Sequence, residues 1–376
     1  MRPLVRYLTV LVVVAGCGPD RSTAPQQDDE LCVSAFCAAV ASGRRGSPDT
    51  SYTLLRLSTY DASGQVVHPD VVAVPPGWSH HSLFLAATPY PYSNEAKENP
   101  SVYTGDDGVA WAPAPSSTNP IAMPDSGHLS DPSIVFDPEL SELWLYYRQA
   151  TSANRIWLVR SRDGAHWSPP TAVITVPGQR LISPTVVRRG AHDWEMWSVN
   201  AGRFGCNADS AFVERRVSED GVTWSEPTPV TLTAPVMGLY PWHLHVSFIE
   251  SRQQYWAIFN AKVPGSCKTK YVFVATSPDG LRWTSRTDPV LSAGAIPQFD
   301  DIVYRATLLY EPQRDLVRLW FSGAQWVNRG YRWTIATQVR RRGTLFPEGT
   351  TKTFWRAMRS VTVAGGVTLT PADDPE

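Results

Sequence analysis

Two aspartates near the start of short hydrophobic stretches are the first candidates for chemistry. Asp70 occurs in HPDVVAV and Asp131 in SDPSIVF, and both are predicted to stand in the same register on inner strands. A buried carboxylate costs free energy unless it is bonded or used, and two carboxyl groups facing one sugar could hydrolyse a glycosidic bond. Each aspartate taken singly could equally cap a strand, but the shared register favours a functional pair.

A proline-rich insertion, TPYPYSNEAKENPS (88–101), supplies further polar and aromatic candidates. Glu98 and Asn99 should begin at the same rim as the first aspartate, because the third strand of a blade runs parallel to its first. A loop that buries Glu98 would raise its pKa and make it a candidate proton donor. Tyr90 and Tyr92 could stack on a sugar ring, although a loop packed on itself explains them equally well.

Histidines and arginines provide the remaining candidates. His243 and His245 alternate along YPWHLHV, so one of them should face the axis, to bind substrate or to help hold a cation or water. Satisfied core histidines are an equally good interpretation. Arg148 and Arg305 could bond hydroxyls or a uronate carboxylate, or instead form outward salt bridges. No Cys/His cluster has zinc spacing, so no metal ligands are assigned and no cofactor is required, although a calcium ion could lie on the axis.

The elements that would position these residues come from a repeated turn. Its copies are GDDGVAW (105–111), SRDGAHW (161–167), SEDGVTW (218–224) and SPDGLRW (277–283). Asp-Gly suits a tight turn, because glycine tolerates positive φ and aspartate bonds nearby backbone N–H groups. The structural interpretation, a hairpin turn, is therefore preferred. Spacing of this kind in a β-rich chain is typical of propeller blades.

Alternating strands surround these turns and divide the chain into five units. The predicted first strands cover residues 68–74, 130–136, 183–189, 243–249 and 304–310. The predicted fold is all-β, a five-bladed β-propeller of four-stranded antiparallel blades. The fifth unit lacks the Asp-Gly turn, and either YTLLRLS (52–58) or TFWRAMRSVTV (353–363) could complete it.

Composition limits the function classes. The 376 residues are 43% hydrophobic, which is enough for a large core. The formal net charge of -1 gives no support to a nucleic-acid-binding face. The 32 prolines disfavour helices. We therefore expect a carbohydrate partner, no nucleic acid and a monomer.

The N-terminus has the pattern of a targeting segment. Basic residues precede the apolar stretch LTVLVVV, which is too short to span a bilayer. The following VAGC resembles a bacterial lipobox, which implies cleavage before Cys17 and lipidation of that cysteine. An ordinary signal peptide is the alternative. The predicted organisation is a lipoprotein signal peptide (1–16), a lipidated tether (17–50) and a propeller domain (51–376). This predicts an exported protein held at the cell envelope, at the outer membrane or cell surface, by its lipid alone.

The other four cysteines favour disulfides in an exported chain. Cys32 and Cys37 could close a small loop. Cys206 and Cys267 fall in matching loops of adjacent units and could form the second bridge. Four cysteines allow three pairings, and the sequence does not exclude the other two.

A family resemblance rests on HPDVVAVPPGW, TPYPYSNEAKENPSVYTGDDGVAW and HLSDPSIVFDPELSELWLYYRQ. Over about residues 65–345 the chain resembles the five-bladed propeller superfamily of family 43 arabinanases and xylosidases and family 32 fructosidases. The resemblance implies that Asp70 is base or nucleophile and that Asp131 tunes the pKa and orients substrate. The third-blade glutamic acid of those enzymes is replaced here by Ser183, in ISPT, which is instead a candidate for substrate binding.

Three functional hypotheses follow. The first is a glycoside hydrolase with Asp70, Asp131 and Glu98 in its funnel. The second is a non-catalytic glycan-binding lipoprotein, for which Ser183 is the best support. The third is a structural or protein-binding propeller. Glu195 lies inside a predicted second strand and is interpreted as structural.

Overall fold

The computed structural model describes residues 51–328 and 330–347, together with the backbone of residues 361–363 and 367–369. The described chain is nearly all β-structure, arranged as five sheets with four consecutively paired strands each. These sheets are the blades of a five-bladed propeller, so the predicted fold class is confirmed. None of the described helices is long and apolar enough to cross a membrane.

The strands are numbered in chain order, beginning with β1 (Tyr52–Leu54). Blade 1 contains β2 (Val66–Ala73), β3 (Leu83–Pro89), β4 (Ser101–Gly105) and β5 (Ala112–Pro113). Blade 2 contains β6 (His128–Asp137), β7 (Glu142–Ala150), β8 (Ala153–Ser161) and β9 (Thr171–Pro177). Blade 3 contains β10 (Ile182–Gly190), β11 (Asp193–Asn200), β12 (Phe212–Ser218) and β13 (Thr228–Pro229).

The last two blades are less regular. Blade 4 contains β14 (Tyr240–Ile249), β15 (Gln254–Lys262), β16 (Thr269–Ser277) and β17 (Thr284–Ser285), with β18 (Leu291–Ser292) also paired to β16. Blade 5 contains β19 (Ile302–Glu311), β20 (Leu316–Val327) and β21 (Gly330–Arg341), which leads into the short helix α1 (Arg342–Leu345). A separate hairpin joins β22 (Val361–Val363) to β23 (Val367–Leu369). Short 3₁₀ turns occupy Pro91–Ser93, Glu95–Lys97, Gly205–Asn207, Glu250–Arg252 and Pro297–Phe299.

The N-terminal strand closes the propeller. Strand β1 pairs antiparallel with β21, with Tyr52 opposite Gln338, and supplies the outer strand of blade 5. The inner strands then contact one another in a complete ring, β2 to β6, β10, β14, β19 and back to β2. Of the two closing segments that the sequence left open, the N-terminal one completes blade 5.

The Asp-Gly turns of blades 1, 3 and 4 are hydrogen-bonded to the neighbouring blade. In the turn of blade 4, Asp279 Oδ1 accepts hydrogen bonds from the backbone N–H groups of Leu281 and Arg282, at 2.9 and 2.8 Å. These hydrogen bonds lower the pKa of Asp279 to about 2, and the bond from Arg282 contributes most. The carbonyl of Gly280 accepts a 2.9 Å hydrogen bond from Trp197 Nε1 in blade 3. Equivalent bonds reach Gly108 and Gly221 from aromatic side chains of adjoining blades. The structural interpretation of the repeat is therefore confirmed.

Replacing Gly280 by alanine should destabilise the propeller more than the same change at Gly294. Both glycines have positive φ, +70° and +85°, so each substitution costs about 1–2 kcal/mol in backbone strain. Only at Gly280 would the new Cβ meet a ring, 2.8 Å from Trp197, which adds about 1–3 kcal/mol. Urea unfolding of both variants measures the difference. Equal losses would show that blade docking does not depend on this turn.

One predicted disulfide is present. Cys206 and Cys267 are bonded, with their Cα atoms 4.8 Å apart, and the bridge joins a loop of blade 3 to a loop of blade 4. The proposed Cys32–Cys37 bridge and the lipidated Cys17 lie outside the described residues, so both stay predictions.

Candidate active site

A funnel of about 630 Å³ opens at the end of the propeller axis. Every blade contributes an inner-strand residue to its wall, and the insertion of blade 1 contributes Glu95 and Glu98. The contributing inner-strand residues are His68, Asp131, Ile182, His243 and Tyr304. The funnel therefore collects polar groups from parts of the chain that are distant in sequence.

β-Bulges aim these side chains at the axis. In blades 1 to 3 the pairing register of the inner strand shifts beside His68, Asp131 and Ser183 respectively. Each of these residues has a left-handed backbone, with φ of 56°, 52° and 52°. Each is followed by proline. A bulge redirects a side chain, and strain of this kind often accumulates at functional sites. His68, Asp131 and Ser183 are thus the equivalent positions of the first three blades.

The predicted register of Asp70 is therefore wrong by two residues, because His68, not Asp70, occupies the position equivalent to Asp131. Asp70 is not part of the funnel wall. Its carboxylate accepts a 2.8 Å hydrogen bond from the backbone N–H of Ile134 in blade 2. His245 Nδ1 lies 2.8 Å from Asp70 Oδ1, and the Thr307 hydroxyl donates to the same oxygen at 3.1 Å. Its catalytic role stays a prediction that this position does not favour.

Asp70 belongs to what we call the axial ring, the side chains that tie neighbouring inner strands together below the funnel. Ser133 Oγ accepts from the Val186 N–H, and Thr185 Oγ1 accepts from the Val246 N–H, as Asp70 accepts from Ile134. The five members are Asp70, Ser133, Thr185, His245 and Thr307. Each bond crosses from one blade to the next, so the ring stabilises the assembly of blades.

Replacing Asp70 by alanine should lower the free energy of unfolding by about 1–3 kcal/mol. The buried N–H of Ile134 would lose its acceptor, and an unsatisfied buried donor carries a cost of that order. Urea unfolding measures the loss, and Ser133→Ala, which deprives Val186 in the same way, should shift stability in the same direction. Unchanged stability in both variants would contradict the axial ring.

Above the ring, three buried groups converge. His68, Asp131 and His243 are 3%, 1% and 3% exposed, and one potential ligand atom from each lies within 4.8 Å of the others. Asp131 Oδ1 is 3.0 Å from His243 Nδ1 and 3.6 Å from His68 Nε2. None of these three atoms makes a hydrogen bond of acceptable geometry within the described structure. We call these residues the His-Asp-His cluster.

The environment of the cluster favours two neutral imidazoles and an ionised carboxylate. Burial lowers the pKa of His68 well below its usual value and lowers that of His243 in the same direction. Burial alone would raise the pKa of Asp131, but His68, His243 and Arg148 hold it well below its usual value. Thr88 Oγ1 lies 3.0 Å from His68 Nδ1, which leaves His68 Nε2 to face the aspartate.

Glu98 borders the cluster. Its Oε1 lies 3.5 Å from His68 Nδ1, and its Oε2 lies 3.7 Å from His128 Nε2. Burial, and then the charge of Asp131, raise the pKa of Glu98 well above its usual value. The sequence expectation of a buried glutamic acid with a raised pKa is therefore met, although its catalytic role stays a prediction.

Two arginines flank the aspartate. Arg148 Nη1 lies 3.5 Å from Asp131 Oδ2 and donates to Ser130 Oγ at 3.1 Å, and its Nη2 donates to the Gln179 side chain. Arg305 Nη1 lies 3.7 Å from Asp131 Oδ1. Both guanidinium groups are buried, which excludes the alternative of outward salt bridges.

The other predicted residues are divided between the funnel and the framework. Tyr90 lines the funnel, whereas Tyr92 is 64% exposed and is not part of its wall. Asn99 is buried and donates to the Tyr60 hydroxyl, and Ser183 Oγ is bonded to the backbone of Leu244. These contacts favour framework roles for both.

Glu195 is buried and paired with Arg215, and it is not among the residues of the funnel wall, in agreement with a structural role.

Sequence reasoning missed His68, His128 and Tyr304. A signal for the first was present, because His-Pro, Asp-Pro and Ser-Pro occur at the same place in three predicted inner strands. His128 opens the strand that carries Asp131, three residues before it. Tyr304 directly precedes Arg305, and its ring centroid lies 4.4 Å from that of His243.

Comparison with known proteins gives one curated relative. The A type blood N-acetyl-alpha-D-galactosamine deacetylase of Flavonifractor plautii is 28% identical over 313 residues, which cover 70% of this chain and 40% of that protein. The chain thus spans about two fifths of the length of the curated relative it matches. No family model matches the chain.

Solved structures share the fold. An N-acetylgalactosamine deacetylase from F. plautii, in complex with blood group B trisaccharide, has a TM-score of 0.72 at 24% identity and covers 79% of this chain and 97% of that one. A thermostable family-43 glycoside hydrolase has a TM-score of 0.54 at 11% identity, with 83% and 95% covered. An α-L-arabinofuranosidase of glycoside hydrolase family 62 from Coprinopsis cinerea has a TM-score of 0.54 at 11% identity, with 78% and 98% covered. At these identities the structures support the propeller fold alone.

Proposed function

We propose that this protein is a carbohydrate-processing enzyme that removes the acetyl group from N-acetylated aminosugars with the help of a divalent metal ion. The observation that carries the proposal is the buried His-Asp-His cluster, whose facing atoms lack hydrogen bonds, beside Glu98 in an open funnel. The name of the curated relative, a deacetylase of an N-acetylated sugar, supports the reaction class.

The residues present fit a metal ion. Buried polar atoms normally make hydrogen bonds. The atoms of His68, Asp131 and His243 that face one another make none within the described structure. Two neutral imidazoles and one carboxylate make three protein ligands, the number typical of a catalytic site that keeps a position open. Imidazole suits first-row transition ions, whereas calcium takes oxygen ligands. We therefore propose a transition ion at the cluster in place of an axial calcium ion.

A bound divalent ion would supply Lewis-acid polarisation of the amide carbonyl and favour ionisation of water. Glu98 accepts the proton of the attacking water and returns it to the nitrogen as the C–N bond breaks, which yields acetate and a free amine. Its raised pKa suits this double role, because a shuttle works best when its pKa is near the working pH.

Tyr304 is placed to stabilise the oxygen of the former carbonyl. Burial, and then Tyr90, raise the pKa of Tyr304 well above its usual value, so its hydroxyl keeps its proton. The ring lines the funnel beside His243. Its hydroxyl accepts a 3.4 Å hydrogen bond from Trp242 Nε1, which leaves its proton to be donated as negative charge develops on that oxygen.

Glycoside hydrolysis is the second candidate, and one observation favours it. Glu98 and Asp131 have pKa values that are pushed in opposite directions, the pattern of an acid and an ionised partner in glycosidases. The two imidazoles beside Asp131 have no part in that mechanism, and Ser183 stands where the resemblance leads one to expect the acid. We therefore rank deacetylation first.

The test incubates the full chain with oligosaccharides that end in N-acetylgalactosamine or N-acetylglucosamine, and with aryl glycosides. Acetate and reducing sugar are measured separately, with and without a chelator, and with zinc, manganese or cobalt added back. Acetate release that is lost on chelation and restored by one ion supports the proposal. Sugar release that survives chelation would replace it by glycoside hydrolysis.

The predicted envelope location stays part of the proposal. The lipobox cysteine lies outside the described residues, and metabolic labelling with a radioactive fatty acid, compared between the natural chain and Cys17→Ser, would test it.

A further inference from the structure

A loop between β11 and β12 carries two exposed side chains to the rim of the funnel. Arg203 and Phe204 are both exposed, Phe204 at 66%, and both line the funnel. The guanidinium of Arg203 lies 5.9 Å from the centre of the Phe204 ring. An exposed aromatic ring beside a cation on the wall of a cavity is typical of a ligand-binding surface. Because Phe204 is exposed, packing in the core does not explain its position.

The loop is held rigid by a buried lysine and a disulfide. Lys262 has no exposed surface, and its ammonium donates to the carbonyl oxygens of Gly205, Cys206 and Ala208 at 3.3, 3.0 and 2.8 Å. Three acceptors satisfy its three donors, which offsets the cost of burying the charge. Cys206 is also bonded to Cys267 of blade 4. The residues that follow Phe204 are therefore fixed from two sides.

A third tie fixes the loop relative to the candidate active site. The N–H of Gln179 donates to the carbonyl of Gly202 at 2.7 Å, and the N–H of Ala201 donates to the carbonyl of Gln179 at 3.0 Å. The side chain of Gln179 accepts from Arg148, which in turn contacts Asp131. Positions at the rim are thereby set by the same network that orients the His-Asp-His cluster.

A groove leads outward from the funnel past this loop. Its volume is about 420 Å³, and it shares Thr151, Gln179 and Arg203 with the funnel wall. Ser152 and Arg180 line its outer part. Its lining residues, all within the described chain, include two arginines and no acidic side chain. In residues 51–328 and 330–347, neither arginine has an ion-pair partner.

We propose that this groove binds the second sugar of the substrate and that this sugar carries an anionic group, a carboxylate or a sulfate ester. This inference rests on the proposed deacetylase function and names its substrate class. Arg203 and Arg180 bind the anion, because guanidinium forks match the oxygens of such groups. Phe204 packs on the sugar face, as aromatic rings do on apolar surfaces. Ser152, which lines the groove, is placed to bond a sugar hydroxyl.

The experiment compares three disaccharides with the same N-acetylated terminal sugar. Their second sugar is neutral, carries a carboxylate or carries a sulfate ester. The natural chain should show a KM at least about tenfold lower for one anionic disaccharide than for the neutral one, since hydrogen bonds to a charged group are roughly twice as strong as neutral ones. Arg203→Ala and Arg180→Ala should each reduce that preference, with little change in kcat. The anion that gives the larger preference identifies the natural group.

Arg155→Ala is the matched control, because this exposed arginine lies on β8 and lines neither the groove nor the funnel. It should keep the full preference for the anionic substrate. The preference should also weaken as salt is added, because exposed charges are screened. A preference that falls equally in Arg155→Ala and Arg203→Ala would overturn the assignment to this groove.

Binding measurements test this inference independently of the proposed function. Calorimetry with the three disaccharides in their deacetylated form measures their affinity for the protein when no reaction can occur. Tighter binding of an anionic disaccharide that depends on Arg203 supports the groove even if no acetate is released. Deacetylation with equal KM and equal binding for all three disaccharides would refute the groove and leave the deacetylase intact.

Discussion

Replacing Glu98 by glutamine should reduce acetate release by about 10²- to 10⁴-fold, the range that general acid-base catalysis contributes. The amide of glutamine keeps the shape of the side chain next to His68 and His128 but cannot carry the proton from water to the leaving nitrogen. Substrate binding and bound metal should change little, so the loss should appear in kcat. Acetate release, metal content and thermal stability are measured on the same preparation.

The control for this variant is Glu219→Gln, which makes the same chemical change at an exposed position in a turn of blade 3. It should retain full activity. If Glu98→Gln kept most of its kcat, the proton shuttle would have to be reassigned to another group of the funnel.

Replacing Asp131 by asparagine should remove the metal ion and almost all activity. The substitution takes away the only negative charge of the His-Asp-His cluster and leaves the two imidazoles beside a neutral amide. A catalytic metal ion contributes several kcal/mol of transition-state stabilisation, so a fall of roughly 10³-fold is expected. Elemental analysis by mass spectrometry gives the metal content, and acetate release gives the activity.

Asp137→Asn is the matched control, since this aspartate is also buried on β6, 4% exposed, but pairs with Arg188 away from the funnel. It should keep its metal ion and its activity, whatever it costs in stability. An Asp131→Asn protein with normal metal content would exclude the cluster as the metal site. Full acetate release without metal would exclude metal assistance altogether.

Local signals made the blades predictable. Strand alternation and the Asp-Gly turns depend on residues that are near one another in the chain, such as Asp279, Gly280 and the N–H groups that follow them. The pairing of Cys206 with Cys267 followed from the equivalence of loops in adjacent blades. The strands and turns recur along the chain, so an error in one unit would have been visible by comparison with the others.

The candidate site was only partly predictable, because a bulge changes which residue faces the axis. The side-chain direction in a strand has a period of two, and an extra residue in the inner strand breaks that count. For this reason the sequence pattern predicts Asp70 beside Asp131 and assigns no role to His68. Left-handed φ values are unusual for residues other than glycine, and although aspartate and histidine adopt them more often than most, their types alone do not predict the bulges at His68 and Asp131.

The sequence by itself determined the five-bladed propeller and its repeated turns, and it predicted, without excluding alternatives, the Cys206–Cys267 bridge and a buried Glu98 that the structure confirms. Only the tertiary structure decided that His68 of blade 1, Asp131 of blade 2 and His243 of blade 4 meet at one point, while Asp70 joins the axial ring. The physical reason is distance along the chain. Turns and strands are set by neighbouring residues, whereas a cluster on the axis is set by how the blades close around it.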